Sequence, residues 1–229
     1  MKALVIGDGE VGKSLQQVLG CDVRGKKERE DREGYFDIIH ICFPYFEGFV
    51  EEVKKYQKQY KPKYTVIHST VPIGTSKKLK AYHSPVRGMH PDMEESMKTF
   101  VTYLAPHNEE LKSYFKSKGM KIEMLVNAKD TEALKLLDTT YYFWNIIFEK
   151  AVYEFCQQRG LDFSSIYTHA NETYNDGYLM MGKDNVRRPV LKHIQGSVGG
   201  HCLVPNAEIL SEEHGFDLTK ILLTMNKSL

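Results

Sequence analysis

Apolar residues in the first half of the chain fall in short unbroken runs, and between them they recur at helical spacing. Residues 2–6 run straight into Gly7, and Val11, Leu15, Val18 and Leu19 then repeat every three or four positions, which predicts strand, tight turn, helix. The run FDIIHICFPY predicts a second buried strand, ended by Pro44, and Phe49, Val50, Val53 and Tyr56 mark the helix after it. YTVIHSTVPIG predicts the next strand, stopped by Pro72 and Gly74. Leu111–Lys118 reads as a short helix closed by Gly119, and KIEMLV as a further strand. Strands apolar on both faces and alternating with helices imply a parallel sheet covered on both sides.

From about Asp130 to Arg159 the pattern changes to one long helix, with Asp130 placed to cap its start and Gly160 to end it. Leu134, Leu137, Tyr141, Phe148, Val152 and Phe155 form an apolar stripe along it. At a rise of 1.5 Å per residue the helix spans about 40 Å, more than a sheet domain needs, so it is expected to bridge two domains or to form a dimer contact. Asp162–Tyr174 and Asn206–His214 predict helices of a small second domain, with a loop around Gly182–Pro189 between them. The expected organisation is an α/β Rossmann-like domain at 1–129, a long connecting or dimerisation helix at 130–160, and a small, mostly helical substrate or dimerisation domain at 161–229. No internal repeat interrupts this order.

Composition narrows the class of partner. Hydrophobic residues make up 41% and charged residues 27%, as in ordinary globular proteins. Lys plus Arg number 31 against 30 Asp plus Glu, so no general electrostatic case exists for nucleic acid or an anionic membrane. The four cysteines, Cys21, Cys42, Cys156 and Cys202, are far apart and contain no CxxC pair, which argues against a zinc site or a disulfide framework. His68, His83 and His90 show no recognised metal spacing, so no metal is expected. The opening apolar run is too short for a signal peptide or membrane span, and a reducing, cytoplasmic location is the expectation.

Gly7, Gly9 and Gly12 spell GxGxxG directly after the first strand and at the start of a helix. The first glycine makes the turn, the second admits a pyrophosphate to the backbone, and the third lets helix and strand approach closely. The spacing excludes a Walker A loop, because Lys13 and Ser14 follow the wrong glycine separation. The residue that would read the ribose is less defined. Asp22 lies only ten positions past Gly12, the second strand is expected to end at Lys27, and Arg24 or Lys27 would meet a 2′-phosphate. NAD and NADP both remain open. The run Lys26–Glu33 reads as a solvated loop.

The second candidate site is GSVGGHCLVP. Gly199 and Gly200 allow a bound group close to the backbone, and Cys202 is either a small buried residue or a nucleophile able to hold an aldehyde as a thiohemiacetal. His201, immediately before it, would raise the thiolate fraction if its ring turned inward. In the long helix, Lys135 either lies along the surface or stabilises charge developing on a substrate oxygen. Thr139 is one turn later, and Asn145 interrupts YYFWNIIF, where burial would demand a hydrogen-bond partner.

Four segments, IGDGEVG, HSTVPIGTS, TEALKLLDTTYYFWNIIF and GSVGGHCLVP, occur in the order found in the nucleotide-sugar 6-dehydrogenases, and the chain resembles that family over nearly its whole length. This family includes the UDP-glucose, GDP-mannose and UDP-N-acetylmannosamine dehydrogenases. The resemblance implies NAD as cofactor, a dimer built on the long helix, and two-step oxidation of a primary alcohol to an acid. It makes Cys202 the thiohemiacetal nucleophile, Lys135 the electrostatic stabiliser and Thr70 an orienting hydroxyl. The expected cofactor-binding set is Gly7, Gly9, Glu10, Val11, Gly12, Pro44, Ser69 and Thr70. The expected substrate-binding set is Lys135, Thr139, Asn145, Gly199, Gly200 and His201.

The sequence also departs from that pattern. Val86 stands where the family carries a glutamate used in the hydrolytic half-reaction, Thr139 replaces an asparagine, and Asn206 replaces an aspartate. The chain stops where a third, nucleotide-recognising domain would begin. Two functions follow: an oxidoreductase acting on a sugar or sugar nucleotide, or a catalytically degenerate dinucleotide-binding or assembly protein that needs a separate nucleotide-sugar-binding subunit. A third possibility is partial oxidation, or reduction, at the aldehyde level, for which the missing acid is unnecessary.

Overall fold

The computed structural model describes residues 1–25, 34–89, 91–200 and 202–228. Two compact units, Met1–Lys135 and Leu136–Leu229, divide within the long helix. No helix among the described residues is long and apolar enough to cross a membrane.

The first unit is built on five parallel strands, β1 (Ala3–Ile6), β2 (Asp22–Arg24), β3 (Ile38–Ile41), β4 (Tyr64–Ile67) and β5 (Tyr82–His83), in the order β2-β1-β3-β4-β5. Val5 lies opposite Val23 on one side and His40 on the other, so successive residues of β1 face opposite layers. Ala3, Val5, Ile38 and Val66 pack with Leu15, Val18 and Leu19 of α1 (Glu10–Leu19), Met93 and Met97 of α4 (Met93–Thr99), and Leu111 and Phe115 of α5 (Glu109–Ser117). Leu4, Ile6, Ile39, Ile41 and Ile67 pack on the other face with Phe49, Val53, Tyr56 and Tyr60 of α2 (Phe49–Tyr60). Burial of each large side chain supplies about 1.5–3 kcal/mol, and only a covered sheet collects it on both faces. The apolar runs therefore form a doubly covered parallel sheet, as their pattern predicts.

Several elements have no counterpart in the apolar pattern, β5 and α4 among them. The short helix α3 (Thr75–Leu79) follows the β4 loop, and β6 (Val101–Leu104) pairs in parallel with β7 (Lys121–Met124) as a separate two-stranded sheet. That sheet joins the main one through an antiparallel bridge, where His83 N–H donates to Ala105 O at 2.7 Å and Ala105 N–H to His83 O at 3.0 Å. Strand β2 ends at Arg24, three residues before the expected end at Lys27. Lys27 and the rest of the expected solvated loop, Lys26–Glu33, lie outside the described residues.

The long helix α6 runs from Ala128 to Arg159, 32 residues, and Gly160 at φ 62° ends it. It starts two residues earlier than expected. Asp130 is thus in the first turn, where its charge complements the helix dipole, and the Asn127 amide donates to Asp130 Oδ2 at 3.3 Å.

The apolar stripe expected to bridge domains or to form a dimer contact is largely exposed, and a different row of α6 is covered within this chain. Leu136, Phe143, Ile147 and Cys156 are buried, whereas Leu137, Tyr141, Phe148 and Phe155 are exposed, Tyr141 at 63% and Phe148 at 53%. Apolar residues surround this segment: Leu136, Phe143 and Ile147 share one row, and Leu137, Tyr141, Phe148 and Phe155 lie on another, roughly 100° around the helix. Periodicity alone cannot choose between them.

In the second unit, Phe143 and Ile147 pack with Ala207 of α8 (Leu203–His214) and Leu222 of α9 (Asp217–Ser228). A π-helical stretch, Ser164–His169, continues into α7 (Ala170–Met180). The expected helices at Asp162–Tyr174 and Asn206–His214 exist with later and earlier limits respectively, and α9 had no counterpart in the sequence reading.

Candidate functional site

The loops after β1, β3 and β4 lie along the carboxyl edge of the sheet, and this edge gathers Gly7, Gly9, Glu10, Val11, Gly12, Pro44, Ser69 and Thr70. Chain order reverses between β1 and its neighbour β3, the position where open parallel sheets bind ligands. Gly7 adopts φ 116°, and a Cβ there would meet Cys42 C at 2.8 Å. At Gly12 a Cβ would fall 1.7 Å from Gly7 O, so α1 can start against this loop only without a side chain. Gly9, the residue before α1, has open space where a Cβ would be. Gly7 and Gly12 are therefore required by packing inside the protein, and a side chain at Gly9 would meet nothing within 4 Å.

The β4 loop is tied in place by its own polar groups. The Ser69 hydroxyl donates to Phe43 O at 2.6 Å, linking the ends of β3 and β4, and Thr70 beside it is half-buried. The carboxylate of Glu132, 1% exposed, accepts from Gly74 N–H at 2.6 Å and Ser76 N–H at 2.7 Å. Thr131, also buried, contacts His83 Nδ1 through its hydroxyl at 2.8 Å. The first turns of α6 are thereby fixed on the loops after β4 and at β5, which places Lys135, half-buried, one turn beyond. Sequence reasoning missed Glu132 as the anchor. The available signal was an acid one helical turn before Lys135, facing a glycine-containing loop with unpaired amides.

Three histidines, His40 on β3, His68 just after β4 and His83 on β5, are buried. His40 Nδ1 and His68 Nε2 are 2.9 Å apart, His68 Nδ1 faces Ser84 O at 2.7 Å, and His83 Nε2 faces Ser69 O at 3.2 Å. Burial drives all three toward the neutral form: it lowers the pKa of His68 to about 4, that of His83 to about 3, and that of His40 well below its ordinary value. These rings are neutral structural groups at ordinary pH.

Val86 is buried in the layer containing Val5 and Leu104. The position that the resemblance assigns to an acid is occupied here by a core side chain.

In the second unit Cys202 is exposed and directly precedes α8. It is not a buried small residue. Gly200 adopts φ 87°, and a Cβ on either Gly199 or Gly200 would meet nothing within 4 Å. His201 lies outside the described residues. The loop before it is held from α6: the Lys150 ammonium donates to Ile194 O and, at 2.5 Å, to Gly196 O, while Glu149 Oε1 lies 2.8 Å from His193 Nδ1. Tyr153 stacks on the His193 ring with centroids 3.5 Å apart. Farther along, Asn206 Nδ2 donates to Thr139 Oγ1 at 3.2 Å, which joins two of the residues that depart from the family pattern. Asn145 spends its amide on the Tyr141 carbonyl of its own helix at 2.8 Å.

No protein-family profile matches the sequence, and no curated protein does. Solved structures do match the fold. UDP-D-ManNAc dehydrogenase from Pyrococcus horikoshii aligns with a TM-score of 0.77 at 18% identity, over 99% of this chain and 68% of that one. A UDP-glucose dehydrogenase from Pyrobaculum islandicum aligns with a TM-score of 0.69 at 14% identity, over 100% of this chain and 68% of that one. The 3-hydroxyisobutyrate dehydrogenase of Mycobacterium tuberculosis aligns with a TM-score of 0.71 at 12% identity, over 99% of this chain and 92% of that one. The chain shares its fold, Rossmann-like in its first unit, with these solved structures. The nucleotide-sugar dehydrogenases among them are longer, and the hydroxy-acid dehydrogenase is of nearly the same extent.

Proposed function

We propose that the protein is an NAD(P)-dependent oxidoreductase that oxidises an alcohol of a sugar or sugar nucleotide. The observation that carries this reading is the glycine cradle at the switch point: Gly7 and Gly12 closed by backbone contact, Gly9 open, all at the carboxyl edge of a parallel sheet. These residues fit a dinucleotide, because the open backbone at Gly9 and the first-turn amides of α1 suit a pyrophosphate. The cofactor would be held by Gly7, Gly9, Glu10, Val11, Gly12, Pro44, Ser69 and Thr70, and when bound it supplies a hydride acceptor.

The chain's own residues would do the rest. Lys135 stabilises negative charge on the alcohol oxygen as its carbon is oxidised to an aldehyde, and Thr70 orients that oxygen. Cys202 adds through sulfur to the aldehyde carbon, forming a C–S bond while the carbonyl oxygen takes a proton. Transfer of a second hydride, to a second molecule of oxidised dinucleotide, with loss of the hydroxyl proton would give a thioester, and water would cleave it to the acid and the free thiol. Thr139, Asn145, Gly199, Gly200 and His201 would line the substrate. Residues 1–129 are assigned to the dinucleotide, 130–160 to connection or dimerisation, and 161–229 to substrate or dimer contacts.

The exposed row of α6, Leu137, Tyr141, Trp144, Phe148 and Phe155, follows the spacing of a helix–helix seam, and its proposed occupant is a second copy of the chain. A cytoplasmic location fits free cysteines in a protein that uses one as a nucleophile.

Incubation with NAD or NADP and a panel of sugar nucleotides, free sugars and hydroxy acids, followed by reduced-cofactor absorbance and product mass, tests the reading. Reduced cofactor with an acid product supports it. Reduced cofactor with only an aldehyde limits the reaction to one step, as buried Val86 favours. Stoichiometric cofactor binding with no turnover supports the second reading, a dinucleotide-binding or assembly protein that depends on a separate subunit; the neutral Thr139–Asn206 pair favours it.

A further inference from the structure

The edge of β2 carries an arrangement that the general logic of dinucleotide binding does not supply. In parallel-sheet folds of this kind an acid at the end of the second strand binds the adenosine ribose hydroxyls, or an arginine there accommodates a 2′-phosphate. Here β2 ends at Arg24, followed by Gly25, and neither is an acid. Asp22 lies opposite Leu4, two residues back from the strand's carboxyl end. That is about 6–7 Å short of the edge.

The space a side chain would need at Gly25 is already taken. A Cβ on Gly25 would lie 2.3 Å from Asp8 Oδ2, 2.5 Å from Asp8 Cγ and 2.8 Å from Asp8 Oδ1. Asp8 is the residue between the first two glycines of the motif, and its loop is pinned against β2 by Gly7 N–H donating to Arg24 O at 2.8 Å. A carboxylate thus stands at the end of β2, delivered from the neighbouring loop. Gly25 is the complement that makes room for it.

Arg24 is turned elsewhere. Its guanidinium is buried between the rings of Phe36 and Tyr60, 5.4 and 5.1 Å from their centroids, and Nη1 donates to Tyr60 Oη at 2.5 Å. Its cation packs in the layer under α2, against Phe36 and Tyr60. The Asp8 carboxylate stands beside Gly25, directly after the end of β2.

The geometry points to Asp8 as the residue that reads the adenosine ribose, in place of a strand-terminal acid. This rests on the dinucleotide reading above and makes the preferred ligand a dinucleotide with a free 2′,3′-diol. A carboxylate accepts hydrogen bonds from both hydroxyls of a vicinal diol, whereas a 2′-phosphate would bring like charge against it.

Fluorescence titration of the full chain with NADH and NADPH tests the assignment, on the native protein and on Asp8→Asn and Asp8→Ser, each checked by thermal melting. The native protein is expected to bind NADH at least about tenfold more tightly than NADPH, and both variants to narrow that ratio to a few-fold. Displacement of NADH from the native protein by ADP-ribose, but only weakly by its 2′-phosphorylated form, gives the same answer without any variant. Preference of the native protein for NADPH overturns the assignment, as does an unaltered NADH preference in a folded Asp8 variant. Both results leave dinucleotide binding standing. Failure of the native protein to bind either cofactor overturns the dinucleotide reading itself, and this assignment with it.

Discussion

The side-chain amide of Asn206 donates to the hydroxyl of Thr139 at 3.2 Å, and both residues are buried. Thr139 simultaneously donates to Leu136 O at 3.0 Å, so its hydroxyl serves the helix as donor and Asn206 as acceptor. The two positions form one uncharged unit. Replacing Asn206 with Asp removes the donor and places a buried carboxylate against an oxygen already committed as donor. Asn206→Asp is expected to cost about 1–3 kcal/mol in urea unfolding, and the double change Thr139→Val with Asn206→Leu to cost less than the single Thr139→Val. Native stability in Asn206→Asp would show the pair is not engaged in solution.

Two glycines of one motif should respond in opposite ways. Gly12→Ala places a methyl 1.7 Å from Gly7 O and must displace α1, so a lowered melting temperature and loss of cofactor binding are expected together. Gly9→Ala meets no atom within 4 Å and keeps an accessible backbone conformation at φ −70°. Its melting temperature should stay near native while cofactor affinity falls. Equal melting temperatures for the two variants would contradict the packing.

The buried histidines set an acid limit on stability. Each binds fewer protons folded than unfolded, since burial holds its pKa below the ordinary 6.5, with His68 at about 4 and His83 at about 3. Stability is then complete above pH 6.5 and falls as pH drops through the window below it, until the folded pKa values are reached. The loss is about 1.4 kcal/mol per histidine over the first full unit below 6.5. Urea titrations should therefore show lower stability at pH 5.5 than at 7.5, by about 3 kcal/mol from His68 and His83 alone, and a folded His83→Gln variant should show a smaller difference. A pH-independent midpoint across this range would refute it.

The proposed chemistry separates two residues by their readouts. Cys202→Ala should abolish acid formation and leave NADH binding within about twofold, because the proposed cofactor-binding residues do not include this thiol. Lys135→Ala should lower kcat by about a hundredfold or more with little change in cofactor affinity. Full acid production in the cysteine variant, or unchanged turnover in the lysine variant, would remove that residue from the mechanism.

The exposed row of α6 bears on assembly. Analytical ultracentrifugation over a wide concentration range should show a dimer, and Tyr141→Lys with Phe148→Lys should shift it to monomer by about tenfold or more in dissociation constant. A monomer throughout that range in the native protein would leave the stripe without its proposed partner.

Which parts of the structure the sequence determined follows from the range of the forces involved. β1, α1, α2 and the close of α6 at Gly160 depend on local periodicity and on glycine backbone freedom, both of which are written in consecutive residues. Gly7 and Gly12 are legible for the same reason, because turn, strand and helix are contiguous there. Other features required contacts between distant segments. Glu132 capping Gly74 and Ser76, Lys150 holding Ile194 and Gly196, and Asp8 filling the space over Gly25 join residues separated by 17 to 58 positions, and nothing in local spacing announces them. The buried face of α6 belongs to the same group. Two apolar rows with nearly the same period offered the same local signal, and the partners Ala207 and Leu222 decided that Phe143 and Ile147, rather than Tyr141 and Phe148, would be covered within this chain.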